Sequence, residues 1–331
     1  MRSAPRTRQA LVPLLLAALA CGAPPEGGPA VRVTIPPRSS FRAVTDSLAA
    51  HGLVGSRPWF RLLAKLRGVD RSVKAGVYDL PAGAGAWALL TQLHAGHIAT
   101  VRFTVPEGLT LLDLGALAEE RLGIPAESLQ VEAHDTARLA ALGVRAPSLE
   151  GYLLPDTYAL PLPVTAASLV QAMTAAFGRQ WKPAWNARLD SLGMTRNQLL
   201  TLASIVEGEA RRDEERPVIA GVYSNRLRLG MPLQADPTVQ YAIQLATGKR
   251  KPRLWFKDLE IDSPYNTYQV PGLPPGPVNS PGLKSIEAAL YPAEVPWLYF
   301  VANGDGTHRF SRTLAEHNRA IAEIRRPGPA R

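Results

Sequence analysis

Cysteine is nearly absent: the 331-residue chain has one, Cys21. A single thiol excludes an internal disulfide framework and any zinc site built on several cysteines. The six histidines, His51, His94, His97, His134, His308 and His317, form no HExxH and no other tight ligand cluster. His94 and His97 lie three apart with no third ligand nearby, so no metal is expected. No P-loop, GxSxG elbow or dinucleotide fingerprint occurs, and the glycines of NGDG, Gly304 and Gly306, read as a hairpin turn. Long apolar runs are missing as well. After Cys21 no stretch approaches the ~20 residues that span a bilayer.

What is present suits a folded, multi-part protein. Length gives about two domains as a prior, and such a chain buries a real core without staples. Thirty prolines and 27 glycines punctuate it heavily, short of the low-complexity range. A formal charge of +9 favours anionic partners such as lipid headgroups, nucleic acid or an acidic polysaccharide, without choosing between them.

Arg2, Arg6 and Arg8 precede the apolar run Ala10–Cys21 and a small-residue spacer, GAPPEGGPA, the order of an export signal. Residues 1–22 are therefore expected to form a signal or membrane anchor, with residues 23–30 as spacer and the body extracytoplasmic. Cys21 stands where a lipoprotein signal places its lipidated residue. Lipid anchoring, cleavage and retention as a short membrane anchor all remain open.

The fold class expected is α+β. Residues 31–100 alternate as a strand at Val31–Ile35, a helix with Phe41, Val44 and Leu48 inward, a second helix from Pro58, a strand in KAGVYDLP, and a helix from Ala86. Residues 101–170 read as a connecting subdomain, with the strand VRFTV and a helix capped by Thr110. Residues 171–331 read as a larger unit, with helices near 169–177, 185–192, 196–211 (opened by the capping box Thr195–Gln198) and 217–229. MPLQADPT, SPYNTY and VPGLPPGPVNSPG read as loops, WLYFVANGDGTHRF as a hairpin, and Leu314–Ile324 as a closing helix.

Chemistry concentrates at LASIVEGEARRDEERP. With Leu199 at zero, Leu202, Ala203 and Val206 fall within about 60° on a helical wheel and Glu207 near 80°, the edge of an apolar stripe. A carboxyl group there can be partly desolvated, which favours the neutral form that a general acid needs. The same spacing also allows a solvated Glu207 paired with Arg211 at i,i+4. Gln234, Asp236, Tyr265, Asn266, Tyr268, Asn279, Ser280, His308 and Ser311 gather in the later loops. That set suits sugar rings, a protein interface or ordinary loop packing alike.

ASIVEGEA, ERPVIAGVYSNRLRLGMPLQADPTVQYA, YNTYQVPGLPPGPVNSPG and FVANGDGTHRFSRTLAEHN closely resemble the endolytic murein transglycosylase, or YceG-like, family. KAGVYDLP, VPEGLT and EGYLLPDTY add to the likeness, which runs from about residue 31 to 321. The resemblance implies a lyase that cuts peptidoglycan strands internally, with Glu207 as the catalytic glutamate and no cofactor. Glu207 would protonate the glycosidic oxygen and then take the C6-hydroxyl proton, giving a 1,6-anhydro product. Gln234, Asp236, Tyr265, Asn266, Asn279 and Ser280 would line the groove. Glu214 would support Glu207 if the helix continued, and His308 would contact substrate or end the hairpin. The family usually has lysine where this chain has Gly208. Residues 31–100 would be a LysM-like module. Implied partners are glycan strands, the membrane through the N-terminus and peptidoglycan synthases, not nucleic acid. A non-catalytic glycan-binding scaffold and a water-using hydrolase, with Asp236 or Glu214 as second carboxylate, are the alternatives.

Overall fold

The period-two pattern of Val31–Ile35 and the matching pattern of GVYDLP bring two strands together. In the computed structural model, which describes residues 29–325, β1 (Ala30–Ile35) pairs antiparallel with β2 (Gly76–Pro81), with Val33 opposite Tyr78. Helices α1 (Phe41–Ala50) and α2 (Arg57–Leu66) lie between them in sequence, and α3 (Ala86–Ala95) follows. Val33, Val44, Leu48, Phe60, Tyr78, Leu89, Leu90 and Leu93 form the core of this unit. The chain divides into two compact units between Ala99 and Thr100. The likeness of the first to a LysM-like module stays one of sequence. The expected signal segment, with Cys21, lies outside the described residues. Among those described, no helix is long and apolar enough to cross a membrane.

The second unit is built on one apolar core that runs from Phe103 to Leu290, so the 101–170 segment and the later helices share it. Its first elements are β3 (Thr100–Thr104), α4 (Leu111–Leu122), α5 (Ala126–Ala133) and α6 (Thr136–Ala141). Then come β4 (Thr157–Pro161), antiparallel to β3 with Phe103 opposite Tyr158, and α7 (Ala166–Gln180) and α8 (Pro183–Leu192). The remainder is α9 (Arg196–Glu209), α10 (Arg216–Arg228), α11 (Asp236–Thr247), α12 (Leu283–Leu290), the antiparallel pair β5 (Tyr299–Ala302) and β6 (His308–Ser311), and α13 (Leu314–Ile324). Small antiparallel sheets among many helices make the protein α+β.

The expected hairpin and closing helix are present, and both Thr110 and Thr195 cap their helices reciprocally. At Thr110 the N3 partner is Asp113, whose shorter side chain still reaches the Thr110 N–H at 3.2 Å. Two departures bear on the site. The segment from Asp236, expected to be loop, is a twelve-residue helix; Pro237 stands in its first turn, where a missing N–H costs nothing. And α9 is not amphipathic near its end: every residue from Leu199 to Val206 is buried, because α10, α11 and α12 pack around it.

Glu150 is a buried carboxyl group in this core, and burial, as the largest cause, pushes it up to about 8. Its Oε2 accepts the Leu111 N–H at 3.0 Å, while Oε1 has no partner. The folded state thus holds a proton that the unfolded chain releases at its ordinary carboxyl pKa. Stability present below that value is lost as pH rises to about 8. Thermal melts from pH 5 to 9 should show this decline, on the order of 3 kcal/mol for a group so buried. Glu150→Gln should flatten it, and an unchanged slope in the variant would count against the assignment.

Candidate active site

The last turn of α9 carries Glu207 out of the apolar core and into a cavity of about 710 Å³. Glu107, Glu209, Asp236, Arg250 and His308 line the same cavity. The Glu207 side chain is only 7% exposed. Its Oε1 lies 3.1 Å from Nη1 of Arg216, and its Oε2 accepts the Gly282 N–H at 3.0 Å. Both oxygens therefore meet donors, an arrangement that serves a carboxylate. Gly282 is also the N-cap of α12, so the helix dipole favours negative charge at this point. The carboxyl group expected at the edge of an apolar stripe is thus a buried side chain in contact with the Arg216 guanidinium. Arg211 has no part in it: α9 ends at Glu209, two residues earlier.

Arg216 is nearly buried and serves three acids and a hydroxyl. Besides Glu207, its Nε donates to Asp213 Oδ1 at 3.0 Å, its Nη2 lies 3.9 Å from Glu107 Oε2, and its Nη1 donates to Ser285 Oγ. Asp213 is held in turn by Lys284, and these two cations keep its carboxyl below the usual carboxylate range. Arg216 opens α10, the end of a helix where a cation is disfavoured. An arginine at a helix start, just after three acids, is the signal in the sequence that could have revealed it. Glu107, in the turn of VPEGLT, lines the same cavity, and no local pattern in the sequence marks it.

Gly208 has a local cause. A Cβ there would sit 2.6 Å from the Pro237 ring, so glycine lets the first turn of α11 press onto α9. Glu209 fixes the same joint: it accepts the Tyr223 hydroxyl at 3.1 Å and the Asp236 N–H. Burial, followed by the nearby Asp236 charge, pushes the Glu209 carboxyl up to about 7.

Of the residues expected from the sequence, Asp236 and His308 share the cavity with Glu207. Asp236 accepts the Tyr268 hydroxyl at 2.7 Å. His308 is fixed by Glu215, which accepts its backbone N–H at 2.9 Å and lies 2.7 Å from its Nδ1. Gln234 lines a neighbouring cavity of about 550 Å³ with Tyr268 and Tyr299, and its φ of 50° is held by an N–H bond to Thr267. Tyr265 packs edge-on against Tyr241, 4.9 Å between ring centres. Asn266 is fully buried and donates to the carbonyls of Leu259 and Ile261, which shapes its loop. Asn279, also buried, donates to the Ser204 carbonyl at 2.9 Å, and Ser280 pairs through its backbone with Gly108 and Leu109. Glu214 is exposed, on a short turn beyond the end of α9.

An α+β scaffold whose cleft is organised around an ion-paired glutamate is the class to which this protein conforms. Comparison with known proteins narrows it. The chain matches the YceG-like family over residues 33–323. It is 34% identical over 306 residues to the endolytic murein transglycosylase of Bacillus subtilis, covering 88% of this chain and 83% of that protein. To the endolytic murein transglycosylase of Streptococcus pneumoniae strain D39 it is 33% identical over 327 residues, covering 88% of this chain and 58% of that longer protein. A crystal structure of a putative yceG-like protein from Listeria monocytogenes matches with a TM-score of 0.60 at 33% identity, over 88% of this chain and 98% of the other. The chain belongs to the YceG-like family.

Removing Arg216 should strand a buried carboxylate. Arg216→Ala is expected to cost about 3–5 kcal/mol in urea unfolding. Adding Glu207→Gln should recover part of that loss, since the amide needs no cation. Strictly additive effects would argue against the pair.

Proposed function

We propose that the protein is an endolytic murein transglycosylase that cuts the N-acetylmuramic acid–N-acetylglucosamine bond within a glycan strand and leaves a 1,6-anhydro end. The placement of Glu207 carries this reading: a buried glutamate, oriented by Arg216 and the Gly282 N–H, opening into a polar cleft. The chain's membership of the YceG-like family, and the names of its curated relatives, support the substrate class.

The reaction needs no external nucleophile. As the C1–oxygen bond breaks, positive charge develops at C1 and the ring approaches an oxocarbenium ion. A carboxylate fixed beside it stabilises that charge without reorganising. The C6 hydroxyl of the same sugar closes on C1, with the large advantage of an intramolecular attack, and Glu207 is placed to accept its proton. The leaving oxygen must gain a proton from a donor in the same cleft. Such a cut in a growing strand ends its elongation, and the peptidoglycan substrate puts the body on the outer side of the cytoplasmic membrane.

Mass spectrometry of muropeptides released by the purified protein tests this directly. Anhydro-ended products are expected, with Glu207→Gln lowering their release by at least about 100-fold while strand binding persists. Reducing ends would mean hydrolysis by water, and binding without release would mean a scaffold. Either result would overturn the proposal.

A further inference from the structure

In the first unit, helix α2 (RPWFRLLAKL) buries one face and leaves a second apolar one open. With Trp59 at zero on a helical wheel, Phe60 and Ala64 stand about 100° and 140° away, and both are buried in the core of the unit. Leu62 and Leu66 stand about 60° and 20° to the other side of Trp59, at i+3 and i+7. These three face outward: Trp59 is 56% exposed, Leu62 48% and Leu66 74%. The neighbouring α3 widens the patch. Trp87, in its first turn, is 60% exposed, and the guanidinium of Arg67, one residue beyond Leu66, stacks 3.5 Å from the centre of its ring. Single exposed leucines are ordinary, whereas two tryptophans and two leucines on adjoining helices make a patch.

Cations border it. Lys65, exposed, lies on one flank of the stripe and Arg67 on the other. Arg61 and Arg57 follow beyond Lys65, and these two share one acid, Asp46, at 2.7 and 3.6 Å. Over residues 30–99 nine Lys and Arg meet three Asp and no Glu, a net of +6. The first unit therefore carries much of the chain's positive charge, and its open apolar face lies within that charge.

Lipid fits this face better than sugar does. A helix side is convex, leucine gives a sugar ring no flat surface to stack on, and α2 has no amide or hydroxyl side chain to hold sugar hydroxyls. Its place in the chain agrees. Eight residues separate the apolar run Ala10–Cys21 from β1, and even fully extended they reach only about 30 Å. Wherever that run is held in a membrane, the first unit is within reach of the headgroups.

We propose that this face of α2, together with Trp87, docks onto an anionic lipid surface. The tryptophans and leucines enter the boundary between headgroups and acyl chains, and the bordering cations meet the lipid phosphates. Tryptophan, with an apolar ring and a polar N–H, suits that boundary. The contact is peripheral and adds a second hold to an N-terminal anchor, and stable attachment commonly takes two such weak signals. It is independent of the chemistry in the cleft.

Both cores are built from residue 31 onward, so a chain begun at residue 23 keeps both folded units and lacks the apolar run. That chain is sedimented with vesicles of phosphatidylglycerol mixed with phosphatidylcholine, and with vesicles of phosphatidylcholine alone. It should bind the anionic vesicles, more weakly as salt rises, with its tryptophan emission shifted to the blue. Trp59→Ser combined with Leu66→Ser should weaken binding about tenfold or more at an unchanged melting temperature. Lys65→Glu should weaken it too and reduce its salt dependence. No binding to the anionic vesicles, or equal binding by the double variant, would overturn the proposal. So would a patch that ignores vesicles while the double variant loses binding to soluble glycan strands, which would make it a sugar platform. Loss of a concentration-dependent dimer in that variant, again without vesicle binding, would make it a contact between copies of the chain and overturn the proposal as well.

Discussion

A carboxylate buried at the end of a buried helix is tolerable only with its counter-charge beside it, and that requirement organises the second unit. Glu207 at 7% exposure would be too costly alone. Arg216 answers it from the first turn of α10, and Gly282 from the cap of α12. Three helices must therefore meet at one point. The same arginine gathers Asp213 and approaches Glu107, so the cleft is assembled around a single guanidinium.

Around that point the scaffold is stiff. α9 is enclosed by other helices, Gly208 lets Pro237 close onto it, and Glu209 fixes the start of α11. Ser280 stitches the Glu107 turn to the proline-rich segment before α12. Such a frame holds reacting groups with little freedom to lose on binding, which is how positioned acids and bases gain their advantage. Asn266 and Asn279 contribute by shaping loops, since their amides are spent on backbone carbonyls.

Much of the fold could be read from local pattern. The strands of the first unit, the capping boxes at Thr110 and Thr195, the hairpin around NGDG and the final helix all follow from alternation, caps and turn residues. α11 and α12 did not: Pro237 reads as loop although it stands in the first turn of α11, and α12 starts just after the proline-rich loop, with Gly282 as its N-cap. At the site, Glu207 was legible as a carboxyl group at the end of an apolar stretch. Its partner was not: the i,i+4 rule points to Arg211, whereas the ion pair is made with Arg216 across a helix break. Residues 107 and 282 meet residue 207 only after folding, and periodicity carries no sign of that. The polar loop residues were found as a group, but Asn266 and Asn279 among them proved to be buried fasteners.

The most direct test is a structure of the Glu207→Gln protein with a glycan strand bound. The account predicts a scissile bond lying in the cleft beside residue 207, with the C6 hydroxyl within about 3 Å of the residue 207 side chain. A strand lodged in another groove, with residue 207 still sealed behind Arg216 and Gly282, would contradict it.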